Sequence, residues 1–315
     1  MYRPAESVLE LIGNTPMVKL KRMSEKIPAE IWAKLEFYNP SGSVKDRIAL
    51  KMLEEAEKRG KIRKGATIIE PTSGNTGIAL SMVCAIKGYS MIAVMPDAVS
   101  KERRIMMQQF GAKVELIKCC QSHRGVTKKD MEGVVSRAKE LVESIPNSIL
   151  LNQFENEDNI KAHTETTAME IIRQTGGNFS AFVAACGTGG TFTGIARVLK
   201  EKYPKIKNVV VEPAGSAVLS GKEPGFHKIE GIGEGFIPKV MCRELADLIV
   251  PVSDGDAMKT ARLLWKREGI VGGISSGANV FAALKIGKKM EKGDVIVTLI
   301  PDNGLRYFST ELFQP

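Results

Sequence analysis

The sequence predicts an α/β protein built on doubly wound parallel sheets in two lobes, and three observations predict it. Short apolar runs alternate with helical patterns in a β-α-β-α-β order, which implies parallel strands joined by right-handed crossovers. Several of these runs end in glycine-rich turns that open helices, the arrangement that builds ligand pockets at the carboxyl ends of such sheets. At 315 residues the chain also exceeds one ordinary core.

The elements follow in order. Residues 8–20 hold the turn Gly13-Asn14-Thr15-Pro16 and a short strand over 17–20. A strand over 31–35 leads through Asn39-Pro40-Ser41-Gly42 into a helix that starts at Lys45 and stops at Gly60. A buried strand over 67–70, an apolar helix over 77–87 closed by Gly88, and a strand over 91–95 come next. Ser100 caps a helix that runs to Phe110 and ends at Gly111, and residues 113–117 form a strand. Residues 118–129 are polar, with adjacent Cys119 and Cys120, and read as a loop before a helix over 131–143. A strand over 149–151, a helix over 156–175 closed by Gly176-Gly177, a strand over 181–185, a helix over 191–202 and a strand over 209–212 continue the alternation. Residues 213–238 carry Gly215, Gly221, Pro224, Gly225, Gly231, Gly233 and Gly235, an irregular segment of a length that usually serves function or motion. A strand over 248–252, a helix capped by Ser253 or Asp254, the turn Gly272-Gly273, a helix from Ser276 and a strand over 295–300 complete the chain.

Composition excludes several classes. Hydrophobic content of 43% and charged content of 26% are those of a soluble globular protein. No stretch of about 18 uncharged apolar residues is present, so no membrane span is expected. The N-terminal residues lack an apolar signal region, and five cysteines without CxxC spacing fit reduced thiols in the cytoplasm. The net charge of +9 raises the question of nucleic acid. Basic residues are interleaved with acids over 51–64, however, and the few aromatics form no RNA-binding pattern. No nucleic-acid partner is expected; a solvated basic surface or attraction of anionic small molecules fits better. His123, His163 and His227 have no metal-ligand spacing, so neither a metal site nor a Ser-His-Asp hydrolase is expected.

Lys45 sits at a loop-to-helix junction, beside free backbone N–H groups whose positive field lowers an ammonium pKa and favours an amine nucleophile. An ordinary exposed lysine in a first turn has the same sequence. Four small-residue turns stand as pocket walls: Thr72-Ser73-Gly74-Asn75-Thr76-Gly77, Gly187-Thr188-Gly189-Gly190-Thr191, Gly231-Ile232-Gly233-Glu234-Gly235 and Ser275-Ser276-Gly277-Ala278-Asn279. The second exposes N–H groups and hydroxyls at a helix N-terminus, a phosphate site. A dinucleotide fold competes, because Glu212 ends the next strand where a ribose acid would stand. Against it, position 192 is Phe where that fingerprint wants Gly. The turn from Thr72 to Gly77 suits a carboxylate and equally suits a capped helix start. Taken singly, Ser276 reads as an N-terminal helix residue and Gln153 as a surface polar residue.

Asn-Pro-Ser-Gly-Ser-Val-Lys-Asp-Arg, Thr-Ser-Gly-Asn-Thr-Gly, Gly-Thr-Gly-Gly-Thr and Ser-Ser-Gly-Ala occur here in the order found in pyridoxal-phosphate enzymes of fold type II. The chain resembles the cysteine synthase (O-acetylserine sulfhydrylase) and cystathionine β-synthase branch of that family over nearly its whole length. The resemblance implies a tryptophan synthase β-like fold. Its smaller domain spans 38–156, with a segment around 88–132 that moves on substrate binding; its larger domain, from 13–37 and 157–315, holds the phosphate. It implies that Lys45 bonds covalently to pyridoxal 5′-phosphate, that Asn75 hydrogen-bonds the cofactor's 3′-oxygen and that Ser276 meets the pyridine nitrogen. Gly187, Thr188, Gly189, Gly190 and Thr191 would hold the phosphate. Thr72, Ser73, Gly74, Thr76, Gln153 and Gly231 would form the substrate site. A neutral Ser hydroxyl does not keep the ring nitrogen protonated, which favours α-proton removal with prompt loss of a β-substituent. Lys45 would serve as the acid–base group, and a nucleophile would then add. Cysteine synthase activity, from O-acetyl-L-serine and sulfide, leads the implied reactions; a homodimer and a serine acetyltransferase partner go with it.

One segment departs from the pattern. The family usually reads Gln-Gly-Ile-Gly-Ala-Gly-Phe, and this chain has Glu230-Gly231-Ile232-Gly233-Glu234-Gly235-Phe236. Glu230 and the Pro301-Asp302-Asn303 segment are closer to the cystathionine synthase branch. Carboxylates at the mouth would repel a phosphoserine donor, and would bind the ammonium of cysteine or homocysteine or act as base for a thiol or water. Glu234 pointing into solvent is the alternative. β-Replacement by homocysteine, cysteine or water, with lanthionine or hydrogen sulfide formed, therefore runs beside the sulfide reaction, and an NAD-binding enzyme is the remote rival. No haem-binding extension or regulatory domain is present, so an animal-type cystathionine synthase is not expected.

Overall fold

The computed structural model describes residues 3–72, 74–119 and 128–314. Its strands are β1 (Met17–Lys19), β2 (Glu30–Leu35), β3 (Thr67–Pro71), β4 (Ser90–Pro96), β5 (Lys113–Ile117), β6 (Ser148–Leu150), β7 (Ala181–Ala185), β8 (Lys207–Pro213), β9 (Leu248–Val252) and β10 (Val295–Ile300). Among the described residues they form two sheets, ordered β1-β2-β10-β7-β8-β9 and β5-β4-β3-β6. Every pairing is parallel except β1 with β2, which is antiparallel at the edge of the larger sheet. Pro251 is tolerated in β9 because that strand is an edge and pairs only with β8.

Both sheets are covered on both faces, as parallel sheets must be. Helices α1 (Lys21–Ser24), α2 (Lys45–Lys58), α3 (Asn75–Lys87), α4 (Lys101–Gln109) and α5 (Lys128–Ser144) precede α6 (Glu157–Ala162), α7 (Ala168–Thr175), α8 (Gly190–Lys202), α9 (Asp254–Glu268) and α10 (Ile274–Gly287). In the smaller sheet, Ile68, Met91 and Ala93 pack with Ile48, Met52 and Leu53 of α2 and Ile78 of α3, while Ile69 and Val94 meet Val134 and Ala138 of α5 on the other face. In the larger sheet, Ile31, Val183 and Val211 face α9 and α10, and Phe182, Val210 and Val297 face α7 and α8. No helix among the described residues is long and apolar enough to cross a membrane.

A buried ion cluster fixes the start of α2. Arg47 donates to Glu36 from Nε (2.7 Å) and Nη2 (2.9 Å), and to Glu170 of α7 from Nη1 (2.7 Å) and Nη2 (2.8 Å). Lys34 adds a 2.8 Å pair to Glu170. Removing one member of such a cluster strands the opposite charges in a dry interior. Arg47→Met is therefore expected to cost about 3–5 kcal/mol of stability. Urea unfolding checks this, and a loss below about 1 kcal/mol, the range of a surface pair, would show the cluster to be dispensable.

Several local expectations change. The predicted helix over 156–175 is broken by a π-turn at His163–Thr167. The helix expected from Ser276 begins at Ile274, and the four-residue α1 is too short to leave a periodic signal. Ser100 stands at the N-cap of α4 without a capping bond, its hydroxyl buried and without a partner among the described residues. The Gly231–Gly235 turn opens no helix; it is irregular chain laid across the cleft. Of the polar loop, Cys119 is buried beside Asp97, and Cys120 lies outside the described residues.

Candidate active site

A cleft opens at the carboxyl ends of β3, β6, β7 and β10, and Lys45 lines it. The Val44 N–H donates to the carbonyl of Pro301 (2.8 Å), which ties the start of α2 to the end of β10 and fixes the lysine over that junction. The Lys45 pKa is lowered, as expected, but the largest cause is burial rather than the helix terminus; the carboxylates of Glu234 and Asp302 act against it. Burial in turn raises the Glu234 pKa, with Lys45 and Arg103 pulling it back. Glu234 lines the same cleft and is half-buried, so it does not point into open solvent. Cys186, nearby at the end of β7, is held as a neutral thiol by burial, its pKa pushed up to about 12.

The turn after β3 is a rigid shelf. Thr72 Oγ1 accepts from the N–H groups of Gly74 (3.2 Å) and Gly77 (3.1 Å), which leaves its hydroxyl hydrogen free to donate. Thr76 Oγ1 donates to Gln153 Oε1 (2.6 Å), and Gln153 Nε2 donates to the carbonyl of Pro71 (3.2 Å). Gln153 is thus a buried cleft residue, not a surface one. Glu70 holds it there, accepting from the N–H groups of Asn152 (2.9 Å) and Gln153 (2.8 Å). Ser73 lies outside the described residues. Asn75 is pinned on both sides, donating from Nδ2 to Asp302 (2.7 Å) and accepting at Oδ1 from Arg306 (2.5 Å).

Opposite this shelf, β7 runs into the turn Gly187 to Thr191, where α8 begins, and Gly187, Thr188, Gly189 and Thr191 line the cleft. A Cβ at Gly187 would strike the carbonyl of Gly231, one at Gly189 would lie 2.5 Å from Met241 Cβ, and one at Gly190 would strike the amide of Asn159. Gly189 also has φ of +88°, so glycine is required on both counts. Ser275, not the expected Ser276, lines the cleft; Ser276 is fully buried behind it against Gly272, its hydroxyl without a hydrogen-bond partner among the described residues.

Glu230 does not offer an open carboxylate at the mouth. Arg103 of α4, itself buried, pairs with it at 2.8 Å, donates to the Tyr307 hydroxyl (2.9 Å) and lies 5.0 Å over that ring. Tyr307 in turn donates to Asp302 (2.6 Å), so one polar chain joins the mouth to the residue that holds Asn75. Repulsion of a phosphoserine donor by Glu230 therefore loses its basis, since its charge is already matched. Sequence alone gave no sign of Arg103, which stands in the ordinary surface-like run Lys101-Glu102-Arg103-Arg104. Glu212 is not available as a ribose ligand. Its carboxylate is buried and accepts from the N–H groups of Leu219 (2.8 Å) and Ser220 (3.1 Å).

The donor set fits pyridoxal phosphate on this structure's own terms. A primary amine with lowered pKa matches an aldehyde, the turn Gly187, Thr188, Gly189 and Thr191 at a helix N-terminus matches a phosphate, and the serine hydroxyl of Ser275 on the lining is the donor type a ring nitrogen needs.

Comparison with known proteins agrees. The family model described as "Pyridoxal-phosphate dependent enzyme" matches residues 8–302. A cysteine synthase of Staphylococcus aureus is 46% identical over 312 residues, covering 99% of this chain and 98% of that protein. A probable cysteine synthase of Bacillus subtilis is 47% identical over 316 residues, covering 99% of each. The crystal structure of a hydrogen sulfide-producing enzyme from Fusobacterium nucleatum superposes with a TM-score of 0.91 at 46% identity, covering 96% of this chain and all of that one.

Proposed function

The chain belongs to the family of pyridoxal-phosphate dependent enzymes, and from that membership we infer that it catalyses β-replacement on an O-acetyl-L-serine-type substrate, with sulfide entering and acetate leaving to give L-cysteine. The observation that carries this reading is the convergence of Lys45, the carboxylate shelf and the glycine cradle on one cleft. Bound there, pyridoxal phosphate supplies an electron sink for the substrate's α-carbon.

The protein's own groups supply the rest. The Thr72 hydroxyl, the N–H groups that open α3, Thr76 and Gln153 bind the substrate carboxylate. Lys45, its amine kept reactive by burial, takes the α-proton and returns one after the nucleophile has added at the β-carbon. Asn75, gripped by Asp302 and Arg306, is aimed rather than free to rotate, which fits a positioning role toward the cofactor ring. The segment around 88–132 includes α4, whose Arg103 spans to Glu230 and Tyr307 of the larger sheet's side. Movement of residues 38–156 as a smaller unit against the rest would have to break that contact, so the proposal includes its opening. The deciding experiment offers O-acetyl-L-serine with sulfide, and cysteine or serine with homocysteine, and follows both products. A protein that stays colourless with added pyridoxal phosphate, or turns over neither pair, would sink the reading.

A second reading has its own support. Glu234 is a half-buried carboxylate in the cleft that Lys45 lines, which supports a role as base for an incoming thiol or water. This favours cysteine or homocysteine as an additional nucleophile, with hydrogen sulfide released when cysteine is the donor. We extend the proposal to a cytoplasmic homodimer, supported by the free thiols and by exposed Leu11 and Tyr38, and to a complex with a serine acetyltransferase, the activity that makes the donor. Sedimentation and co-purification test these two assemblies.

The orphaned hydroxyl yields a sharp expectation. A buried unsatisfied hydroxyl costs about 1–3 kcal/mol. Ser276→Ala should therefore leave the cofactor-free protein at least as stable, while it weakens pyridoxal phosphate binding and shifts the visible spectrum. Thermal unfolding of the two forms checks this; a destabilised apoprotein with unchanged cofactor affinity would make Ser276 a packing residue only.

A further inference from the structure

We propose that His163 is a positioning residue that sets the direction of a buried hydrogen-bond chain, Thr167 to His163 to Thr191, so that the Thr191 hydroxyl donates into the phosphate cradle. This rests on the reading of Gly187 to Thr191 as the phosphate site. All three residues lie outside the chemistry at Lys45.

The geometry begins with close packing. The π-turn His163–Thr167 lies against α8, where a Cβ at Gly194 would stand 2.7 Å from His163 Cβ and 2.7 Å from the carbonyl of Ile160. Only glycine allows that approach, and it carries the imidazole to Thr191, one turn earlier on α8. His163 Nε2 is 3.1 Å from Thr191 Oγ1, and Nδ1 is 2.9 Å from Thr167 Oγ1. His163 and Thr167 are fully buried, while Thr191 is half-buried and lines the cleft. Asn159, four residues before His163, braces the same turn from behind, donating to Thr188 Oγ1 (3.1 Å).

The direction of the chain follows from satisfying each polar hydrogen. The Thr167 hydroxyl has no acceptor other than His163 Nδ1 among the described residues. If Nδ1 carried the proton, the Thr167 hydroxyl hydrogen would be buried without a partner, at the usual cost of an unmade bond. Nδ1 is therefore the acceptor, and the ring proton sits on Nε2. Nε2 then donates to Thr191 Oγ1, whose own hydrogen is turned toward the cleft, where it meets a phosphate oxygen. The doubly protonated ring is disfavoured first by burial and then by Arg47 and Lys45, with Glu170 the opposing charge, so the imidazole stays neutral across the working pH range. A neutral donor suits a dianion: it orients the threonine without a titrating charge beside the phosphate.

The test measures pyridoxal phosphate affinity of the refolded or stripped apoenzyme, and the 31P resonance of the bound phosphate, in Thr191→Ala, Thr167→Val, Thr167→Ser and the double variant Thr167→Val/Thr191→Ala. A hydrogen bond to a charged acceptor predicts a roughly tenfold loss of affinity for Thr191→Ala. Thr167→Val should weaken binding severalfold and move the 31P line, Thr167→Ser should restore both, and the double variant should bind no worse than Thr191→Ala alone, since a broken chain cannot be broken twice. If Thr191→Ala weakens binding but Thr167→Val adds its full loss in that background, or if Thr167→Ser fails like Thr167→Val, the chain is overturned and the phosphate site stands. If Thr191→Ala leaves affinity and the 31P line unchanged, the phosphate reading falls and takes the chain with it.

Discussion

Replacing Lys45 with alanine is expected to lower turnover by about 10³-fold or more while leaving the fold and most of the cofactor affinity in place. The side chain does two things that no neighbour can take over. It supplies the only amine lining the cleft among the described residues, and on the proposed reading it is the base for the α-carbon. Its stability role is small, since the ion cluster that anchors α2 is built on Arg47, two residues on. The variant should therefore unfold with the wild-type midpoint and bind pyridoxal phosphate reversibly, and borohydride should no longer fix the cofactor to the chain. Lys45→Arg separates charge from reactivity: it keeps a cation at the site but offers no neutral amine, so it should be as inactive as alanine. A small primary amine added to Lys45→Ala should recover part of the rate if proton transfer is what was lost. Retention of more than about a tenth of wild-type turnover in Lys45→Ala would remove the lysine from the reaction.

How much of this site could be read from the chain depends on whether a residue acts through local backbone or through distant packing. The glycine cradle was legible because tight turns and close approach demand glycine in sequence order, and Lys45 because a turn-to-helix junction is a local pattern. Strand positions such as β5, β7 and β10 were legible because short apolar runs carry their own punctuation. Arg103 was not, because its burial under Gly74 and over Tyr307 is decided by residues far away in the chain. Gln153 failed for the same reason: its burial depends on Glu70 and Thr76, which arrive from β3 and α3. The π-turn at His163 has no compositional mark, and the histidine was visible only as a residue that fits no metal spacing. The Lys45 pKa shift follows the same rule, since burial and not the helix terminus is its largest cause. A helix terminus is a local feature, whereas burial between two sheets is not.

The residue that separates this chain from the usual family segment gives the second large effect. Glu234 must be ionised to take a proton from an incoming thiol, and burial raises its pKa above the ordinary carboxylate value, with Lys45 and Arg103 opposing that rise. As pH falls the carboxylate is therefore lost earlier than a solvated one would be, and activity that depends on it should decline on the acid side at a correspondingly higher pH. The groups that face it are Lys45 from α2, Arg103 from α4 and the neutral Cys186 thiol at the end of β7. Sulfide is already partly ionised near neutral pH and calls less on a base, whereas an alkyl thiol with a pKa of about 8.5 is mostly protonated there and needs one. Glu234→Gln should thus reduce kcat with cysteine or homocysteine as nucleophile by about 10²-fold and abolish the acid limb of that profile. With sulfide the same variant should lose less than about threefold, because the ionised fraction attacks without a general base. Equal losses with sulfide and with thiols would make Glu234 an element of general electrostatics around Lys45, and no loss with either would leave it a cleft-lining carboxylate with no part in the reaction.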